Sequence, residues 1–305
     1  PSEADVVSNT QPKAFIDPAE LNRAIPLSDQ EFYQIRDWLR GQSGIHLADI
    51  KKSMVVGRLQ KRLKALQIPT FAAYLKLIHQ ADQSSERQTA VNLLTTNETY
   101  FFREEKHFQF LEQQVLPAVQ SRDNFKVWSA AASTGEEAYS IALTLGHLWG
   151  VQGNWQVMGT DINTSVLQRA QKAMYPLDAK DRIPLHLLKA FCLRGIGQET
   201  GWLKISAEIS SHVSFVQANL FTLQLKLPLF DVIFLRNVLI YFELEDKKKI
   251  IQNVVRHVRY TRATPIQRKY DAAPITSNCG QAYPIIARPS PMRLWASLGR
   301  TCPPS

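Results

Sequence analysis

Residues 125–143 combine small and acidic side chains in an order that could hold a ligand against the main chain. A short apolar strand leads into the small residues 129–135, and Glu136 then starts an apolar pattern at helical spacing. Such a strand, turn and helix bring backbone N–H groups and a helix N-terminus to a bound ligand. The two glutamates of the first turn, Glu136 and Glu137, would repel a pyrophosphate, whereas a carboxylate there suits ribose hydroxyls or a cationic ligand. The alternative is an ordinary turn whose acidic residues favour the helix dipole.

Further predicted strands end in polar residues that could face the same ligand. Residues 155–161 end in Asp161, and an acid at that point of a doubly wound sheet bonds both hydroxyls of an adenosine ribose. Residues 230–235 run directly into two polar residues. Asn219 and Leu220 follow another strand and could bracket an adenine ring, whose edge needs a donor and an acceptor. Because the carboxyl ends of parallel strands face one crevice, the sequence predicts a nucleoside-binding α/β domain.

Four motifs in the same order along the chain resemble those of the CheR-type chemotaxis receptor methyltransferases. They are TTNETYFFR at 95–103, WSAAASTGEE at 128–137, GTDI at 159–162 and RNVLIYF at 236–242. The likeness runs from about residue 27 to about residue 258. It implies an α/β fold, a Rossmann-like S-adenosylmethionine-dependent methyltransferase sheet with a small antiparallel β insertion, preceded by an all-α domain. It also implies S-adenosyl-L-methionine as methyl donor, S-adenosyl-L-homocysteine as product and glutamate carboxylates of chemoreceptors as acceptors.

The resemblance assigns two sets of site residues. Donor binding is assigned to Asn97, Thr99, Arg103, Glu136, Asp161, Asn219, Leu220, Asn237 and Val238. Arg103 and Tyr241 are predicted to orient the acceptor carboxylate, and no metal ligand is predicted. Without the resemblance, residues 95–103 would be a linker in which Arg103 pairs with Glu104 or Glu105.

A predicted helix at about residues 50–67 carries concentrated positive charge. Its bases are Lys51, Lys52, Arg58, Lys61, Arg62 and Lys64, and residues 49–67 contain one acid. Its predicted apolar face consists of Ile50, Val55, Leu59, Leu63 and Leu66. A solvated helix face is the alternative, although such faces commonly mix charges of both signs. Because chemoreceptor methylation segments are acidic helical bundles, the resemblance predicts that these bases, Lys64 excepted, dock such a bundle.

Composition argues against other classes of function. The chain has 305 residues and a net charge of +9, but residues 260–305 hold six Lys/Arg and one Asp, and residues 49–67 hold six bases and one acid. This localised charge does not form a general nucleic-acid surface. Amino-group nucleic-acid methylases, the rival class, favour an acid-or-Asn–Pro–Pro–aromatic motif where this chain has RNVL. No apolar run suits a membrane span, and three cysteines without CxxC spacing fit a reducing cytoplasm.

The sequence pattern divides the chain into four parts. They are a mobile leader at 1–26, a helical receptor-docking domain at 27–94, a methyltransferase domain at 95–259 and a tail at 260–305. The β insertion is predicted at about 192–212, where the glycine-rich turn 194–201 could hold a receptor's C-terminal tethering peptide or simply close a hairpin. The tail has seven prolines and no glutamate and is predicted to be disordered. It could result from a shifted reading frame or be a natural ending. Since the last strands of the sheet would then be absent, the alternative function is a receptor-binding protein with impaired catalysis.

Overall fold

The computed structural model describes residues 25–119, 124–259 and, for the backbone only, 285–287. Most of the predicted leader and of the predicted disordered tail therefore lies outside the described residues. Within these ranges, none of the helices combines the length and the apolar character needed to span a bilayer.

Four helices form the N-terminal domain, as the sequence predicts. They are α1 (Asp29–Ser43), α2 (Lys52–Ala65), α3 (Phe71–His79) and α4 (Ser84–Leu94). A capping box starts α1: the Ser28 backbone N–H donates to the Glu31 carboxylate at 2.8 Å, and the Glu31 N–H donates to the Ser28 hydroxyl at 3.2 Å. The helices bury their apolar side chains in one core, which includes Phe32, Leu39, Val55, Leu59, Leu63, Phe71, Tyr74, Ile78 and Leu94.

The predicted apolar face of α2 is correct in its middle and wrong at its start. Val55, Leu59 and Leu63 are buried, but Ile50 is 84% exposed. Residues Asp49–Lys51 form a single 3₁₀ turn before the helix. The tighter winding of that turn takes Ile50 out of phase with the α-helical face.

A five-stranded sheet forms the centre of the second domain. Its strands are β1 (Phe125–Ala130), β2 (Trp155–Asp161), β6 (Val213–Gln217), β7 (Val232–Phe234) and β8 (Ile285–Ala287). Their order is β6-β2-β1-β7-β8, and the first four are parallel. The carboxyl ends of these four strands therefore meet at one edge of the sheet.

Helices cover both faces of this sheet. They are α5 (Lys106–Phe110), α6 (Glu136–Trp149), α7 (Thr164–Lys172) and α10 (Leu244–Val255). Successive strand residues point to opposite faces. Val127 of β1 belongs to a core with Ile141 of α6, whereas Trp128 belongs to a core with Ile250 and Val254 of α10. This is the doubly covered parallel sheet that the sequence predicts.

A separate antiparallel sheet forms the small insertion. It consists of β3 (Met174–Pro176), β4 (Cys192–Arg194) and β5 (Trp202–Ile205) in the order β3-β5-β4, with α8 (Leu185–Phe191) and α9 (Ala207–Ser210) beside it. The predicted boundaries of about 192–212 are too narrow, because β3 precedes them. A three-residue strand that ends in proline offers no alternating pattern from which it could be predicted.

One described strand corrects in part the prediction that the last two strands of the sheet are absent. β8 pairs antiparallel with β7, and Ile286 lies opposite Ile233. It thus covers the edge of β7 that the sequence pattern left open. The remainder of the predicted tail lies outside the described residues.

The two domains meet at the carboxyl edge of the sheet. The His46 backbone N–H donates to the Tyr241 carbonyl at 2.9 Å. Gly44 ends α1 at φ 77°, and a Cβ atom there would lie 2.6 Å from the Phe221 ring. Because only glycine fits both the left-handed backbone and this contact, Gly44 allows the end of α1 to pack directly on the second domain.

Candidate functional site

A cavity of about 570 Å³ lies between the two domains at the carboxyl edge of the parallel strands. Its volume is typical of small-molecule sites. The predicted site residues that line it are Asn97, Thr99, Arg103, Asp161, Asn219, Leu220, Asn237, Val238 and Tyr241. The structure therefore brings together residues from the interdomain linker and from the segments that follow three parallel strands.

The turn after β1 has a backbone shape that allows a ligand to approach closely. Ala131 and Ser133 have φ values of 72° and 50°, a region that non-glycine residues seldom adopt. Gly135 has φ 96°, and a Cβ atom there would lie 2.9 Å from Ala170. The Ser133 N–H donates to the Asp161 carboxylate at 2.9 Å. This hydrogen bond ties the strained turn to the end of β2.

Asp161 is a buried carboxylate in the cavity wall. One oxygen accepts the Ser133 N–H and the other accepts the Asn163 N–H, each at 2.9 Å. Burial raises the pKa of the Asp161 carboxyl, and these backbone hydrogen bonds oppose that rise. Each carboxylate oxygen has more than one acceptor site. Asp161 can therefore still accept hydrogen bonds from a pair of ligand hydroxyls.

The structure assigns the first turn of α6 differently from the sequence prediction. Glu136 is not part of the cavity wall, and its carboxylate accepts the Thr134 hydroxyl at 2.6 Å. Glu137 lines the cavity instead. Its carboxylate accepts the Ser129 hydroxyl at 2.7 Å and pairs with Arg236 at 3.0 Å. Of the two acids, Glu137 is therefore the one that lines the cavity.

Neighbouring positions on a helix differ by about 100° in direction, and this difference separates the two glutamates. The sequence contains both acids after the same turn, and the prediction chose Glu136. The signal that could have chosen is Arg236, a charge at the end of a buried strand that requires a partner. Burial raises the pKa of the Glu137 carboxyl, and the Arg236 guanidinium opposes that rise.

Arg236 is a second residue of the cavity wall that the site prediction omitted. Its side chain is 1% exposed, and it donates to the Arg103 carbonyl oxygen and to Glu137. Glu104 lies 3.4 Å from the same guanidinium. Phe102 and Glu104, on either side of Arg103, have φ values of 54° and 56°. Arg236 therefore fixes a strained turn of the linker beside the cavity.

Arg103 and Tyr241 share one side of the cavity. The Arg103 guanidinium donates to the Glu98 carbonyl at 2.8 Å and lies 5.7 Å from the Tyr100 ring centre. Glu104 pairs with Arg236, so the alternative pairing of Arg103 with Glu104 is not the arrangement found. Burial raises the pKa of the Tyr241 phenol, and the positive charge of Arg103 opposes that rise.

Asn219 and Asn237, two of the three asparagines of the predicted site, are held by groups distant in the chain. Asn219 donates to the Gln42 carbonyl at 2.9 Å and accepts the Phe221 N–H at 3.0 Å. Asn237 donates to Glu104 at 2.8 Å. Because both amide atoms of Asn219 are engaged, its backbone and the neighbouring leucine are the better candidates to contact an adenine ring.

The bases of α2 do not form the uniform free surface that the sequence predicts. Arg62 pairs with the buried Glu86, and Arg58 donates to three backbone carbonyls. Lys52 pairs with Asp29 at 2.6 Å at the surface. The remaining two predicted docking residues are exposed: Lys61 on the helix and Lys51 in the cavity wall. Arg58 and Arg62 are therefore engaged within the N-terminal domain and, contrary to the sequence prediction, are not free to dock a receptor.

Arg62→Met should lower the free energy of unfolding by about 2 kcal/mol, because a buried carboxylate would lose its charged hydrogen-bond partner. Lys61→Met removes the same charge from the exposed face and should leave stability unchanged. Thermal unfolding of both variants measures the difference. Equal melting temperatures would mean that the Arg62–Glu86 pair does not support the domain.

Two family models match the chain. "CheR methyltransferase, all-alpha domain" matches residues 30–95, and "CheR methyltransferase, SAM binding domain" matches residues 97–261. The SAM-binding match includes the linker and every parallel strand that surrounds the cavity. The donor set fits such a ligand, since Asp161 can accept ribose hydroxyls and Glu137 can accept an ammonium group. Within the described residues, Nε of Arg236 is buried without a hydrogen-bond acceptor, which a ligand could supply.

Sequence alignments with chemotaxis protein methyltransferases cover most of the chain. It is 39% identical over 238 residues to the chemotaxis protein methyltransferase of Salmonella typhimurium, a match that covers 77% of this chain and 82% of that protein. It is 40% identical over 240 residues to that of Klebsiella aerogenes, covering 78% and 81%. A solved glycopeptide N-methyltransferase complexed with S-adenosyl-L-methionine matches 54% of this chain and 55% of its own at 15% identity. Its TM-score of 0.31 is too low to support an inference.

Proposed function

Because the chain belongs to the CheR methyltransferase family, we propose that it methylates glutamate side chains of chemoreceptors and gives glutamate methyl esters. Family membership makes it an S-adenosylmethionine-dependent methyltransferase of chemotaxis. One observation supports the choice of acceptor. A single cavity contains Asp161 and Glu137, which suit the donor, beside Arg103 and Tyr241, which suit a carboxylate.

The acceptor requires no general base. A glutamate side chain has a pKa of ~4.3 and is ionised at neutral pH. When bound, S-adenosylmethionine would supply a methyl group on a positively charged sulfur: a carboxylate oxygen bonds to the methyl carbon as the carbon–sulfur bond breaks, and S-adenosylhomocysteine is the leaving group. The protein then contributes by alignment and by exclusion of water. Arg103 can pair with the carboxylate, and the Tyr241 hydroxyl can donate to it, since a tyrosine with the ordinary pKa of ~10 is already protonated at neutral pH.

The described surface offers receptor contacts of two kinds. Lys51 and Lys61 are exposed bases that suit the acidic methylation helices of a receptor bundle. In the small insertion, Leu193 of β4 is 57% exposed, and Ile196, in the turn after β4, is 83% exposed. These aliphatic side chains support the idea that the insertion holds a receptor's tethering peptide. A partner of this kind supports a cytoplasmic location for the protein.

Methyl transfer to receptor-containing membranes tests the proposal. Methyl-labelled S-adenosylmethionine should label the receptor band, and mild base should release the label as methanol because esters hydrolyse under these conditions. Membranes without receptor serve as the control. Base-stable label would indicate an N-methyl product and would contradict the proposal. Donor binding without any transfer would favour the receptor-binding protein with impaired catalysis.

Arg103→Ala should lower kcat by about tenfold to a hundredfold, the value of one hydrogen bond between charged groups. S-adenosylhomocysteine affinity should change much less, since we expect the acceptor-orienting role of Arg103 to outweigh its predicted contact with the donor. Arg182→Ala is a matched control, because Arg182 lies 4.9 Å from the centre of the same Tyr100 ring but outside the cavity wall. Wild-type kcat in Arg103→Ala would reduce Arg103 to a structural residue of the linker.

A further inference from the structure

The Arg58 side chain does not extend from α2 into solvent. It is half-buried, and its Nη1 donates to the carbonyl oxygens of Leu93, Leu94 and Thr95 at 3.3, 3.1 and 2.8 Å. These carbonyls lie at the end of α4, where a helix leaves acceptors without internal partners and carries the negative end of its dipole. The guanidinium therefore stabilises the end of α4 and fixes the direction in which the chain leaves it.

Thr95 connects this contact to the cavity. Its hydroxyl accepts Nδ2 of Asn163 at 2.8 Å, and the Asn163 backbone N–H donates to Asp161 at 2.9 Å. Asn97, two residues after Thr95, belongs to the part of the linker that lines the cavity. A continuous series of contacts therefore joins Arg58 to the Asp161 carboxylate.

The positive charge of Arg58 acts on a residue of the cavity wall, Tyr241. Burial raises the pKa of the Tyr241 phenol, and the positive charges of Arg103 and Arg58 both oppose that rise. Tyr241 lines the cavity. The guanidinium of Arg58 is therefore close enough to the cavity for its field to affect a residue of the wall.

We propose that Arg58 is a positioning residue of the methyl-donor site, which holds Thr95 and thereby orders both the linker and Asp161 for S-adenosylmethionine. A docking residue acts only when an acceptor is present, whereas this role acts on the donor alone. The proposal rests on the donor-binding part of the proposed function and is independent of which carboxylate receives the methyl group.

Arg58→Met and Lys61→Met form a matched pair, since each removes one positive charge from α2 and keeps a long side chain. Calorimetric titration with S-adenosylhomocysteine measures the donor site without an acceptor. We expect Arg58→Met to weaken binding about tenfold, the value of a hydrogen bond to a charged group, and Lys61→Met to leave it unchanged. Wild-type affinity in a folded Arg58→Met protein would overturn the proposal.

Arg58→Lys covers the case in which the methionine variant does not fold. Lysine keeps the positive charge for docking, but its stem is one atom shorter and it lacks the planar guanidinium. We expect weaker S-adenosylhomocysteine binding with an unchanged KM for receptor membranes. Unchanged donor affinity together with a raised receptor KM would assign Arg58 to docking and overturn the proposal. If receptor methylation is absent in the wild type while Arg58→Met still weakens donor binding, the acceptor proposal fails and this one stands.

Discussion

Asp161→Ala should weaken S-adenosylmethionine binding by about two to four orders of magnitude. Each hydrogen bond from a ribose hydroxyl to this buried carboxylate is worth about 1.5–3 kcal/mol, and the geometry leaves acceptor sites for two hydroxyls. Isothermal titration calorimetry with S-adenosylhomocysteine measures the loss without turnover. The measurement should be made well below the melting temperature, because the alanine also leaves the Ser133 and Asn163 N–H groups without their acceptor.

Asp161→Asn is the matched control for this prediction. It keeps the shape of the side chain and one acceptor oxygen, so it should bind the donor with intermediate affinity. A folded Asp161→Ala protein with unchanged affinity would show that Asp161 only supports the turn after β1. The adenosyl group would then have to bind elsewhere in the cavity.

Arg236→Met should lower the free energy of unfolding by about 3–5 kcal/mol, because it leaves the Glu137 carboxylate buried without its charged partner. The folded-state pKa of Glu137 should then rise further above its unfolded value. A carboxyl group whose pKa is higher in the folded than in the unfolded state destabilises the fold when it is ionised. The loss of unfolding free energy in Arg236→Met should therefore shrink as the pH falls. Denaturant unfolding at neutral and acidic pH measures both effects.

Two further variants show whether the loss of stability comes from the unpaired Glu137 charge. Arg236→Met combined with Glu137→Gln removes the unpaired charge and should recover part of the lost stability. Arg256→Met, on the exposed face after α10, should have little effect. A loss in Arg236→Met below about 1 kcal/mol, the value of a surface ion pair, would contradict the structural role of the network.

The cavity is the part of the structure that the sequence predicts best. Asp161, Asn219 and Asn237 each follow a strand of one parallel sheet, and the ends of such strands are brought together by topology alone. The choice between Glu136 and Glu137 depends on the exact phase of the first helical turn, which short motifs do not specify. Contact with a distant residue, Arg236, decides that choice in the folded chain.

The basic helix shows a different limit of sequence reasoning. Spacing along α2 separates a buried face from a charged one, but it does not identify partners from other elements. Arg62 meets Glu86, and Arg58 meets carbonyls at the end of α4. Such partners lie on separate helices, so only packing brings them together. Ile50 fails for a local reason, because a 3₁₀ turn precedes the helix.

Tandem mass spectrometry of receptor peptides after incubation with this protein and S-adenosylmethionine tests the central claim most directly. The account predicts methyl groups on glutamate side chains, removed by mild base and absent when Asp161→Ala replaces the wild-type protein. Methyl groups on lysine, arginine or a nucleobase, or a receptor without any methyl group in the presence of bound donor, would contradict it.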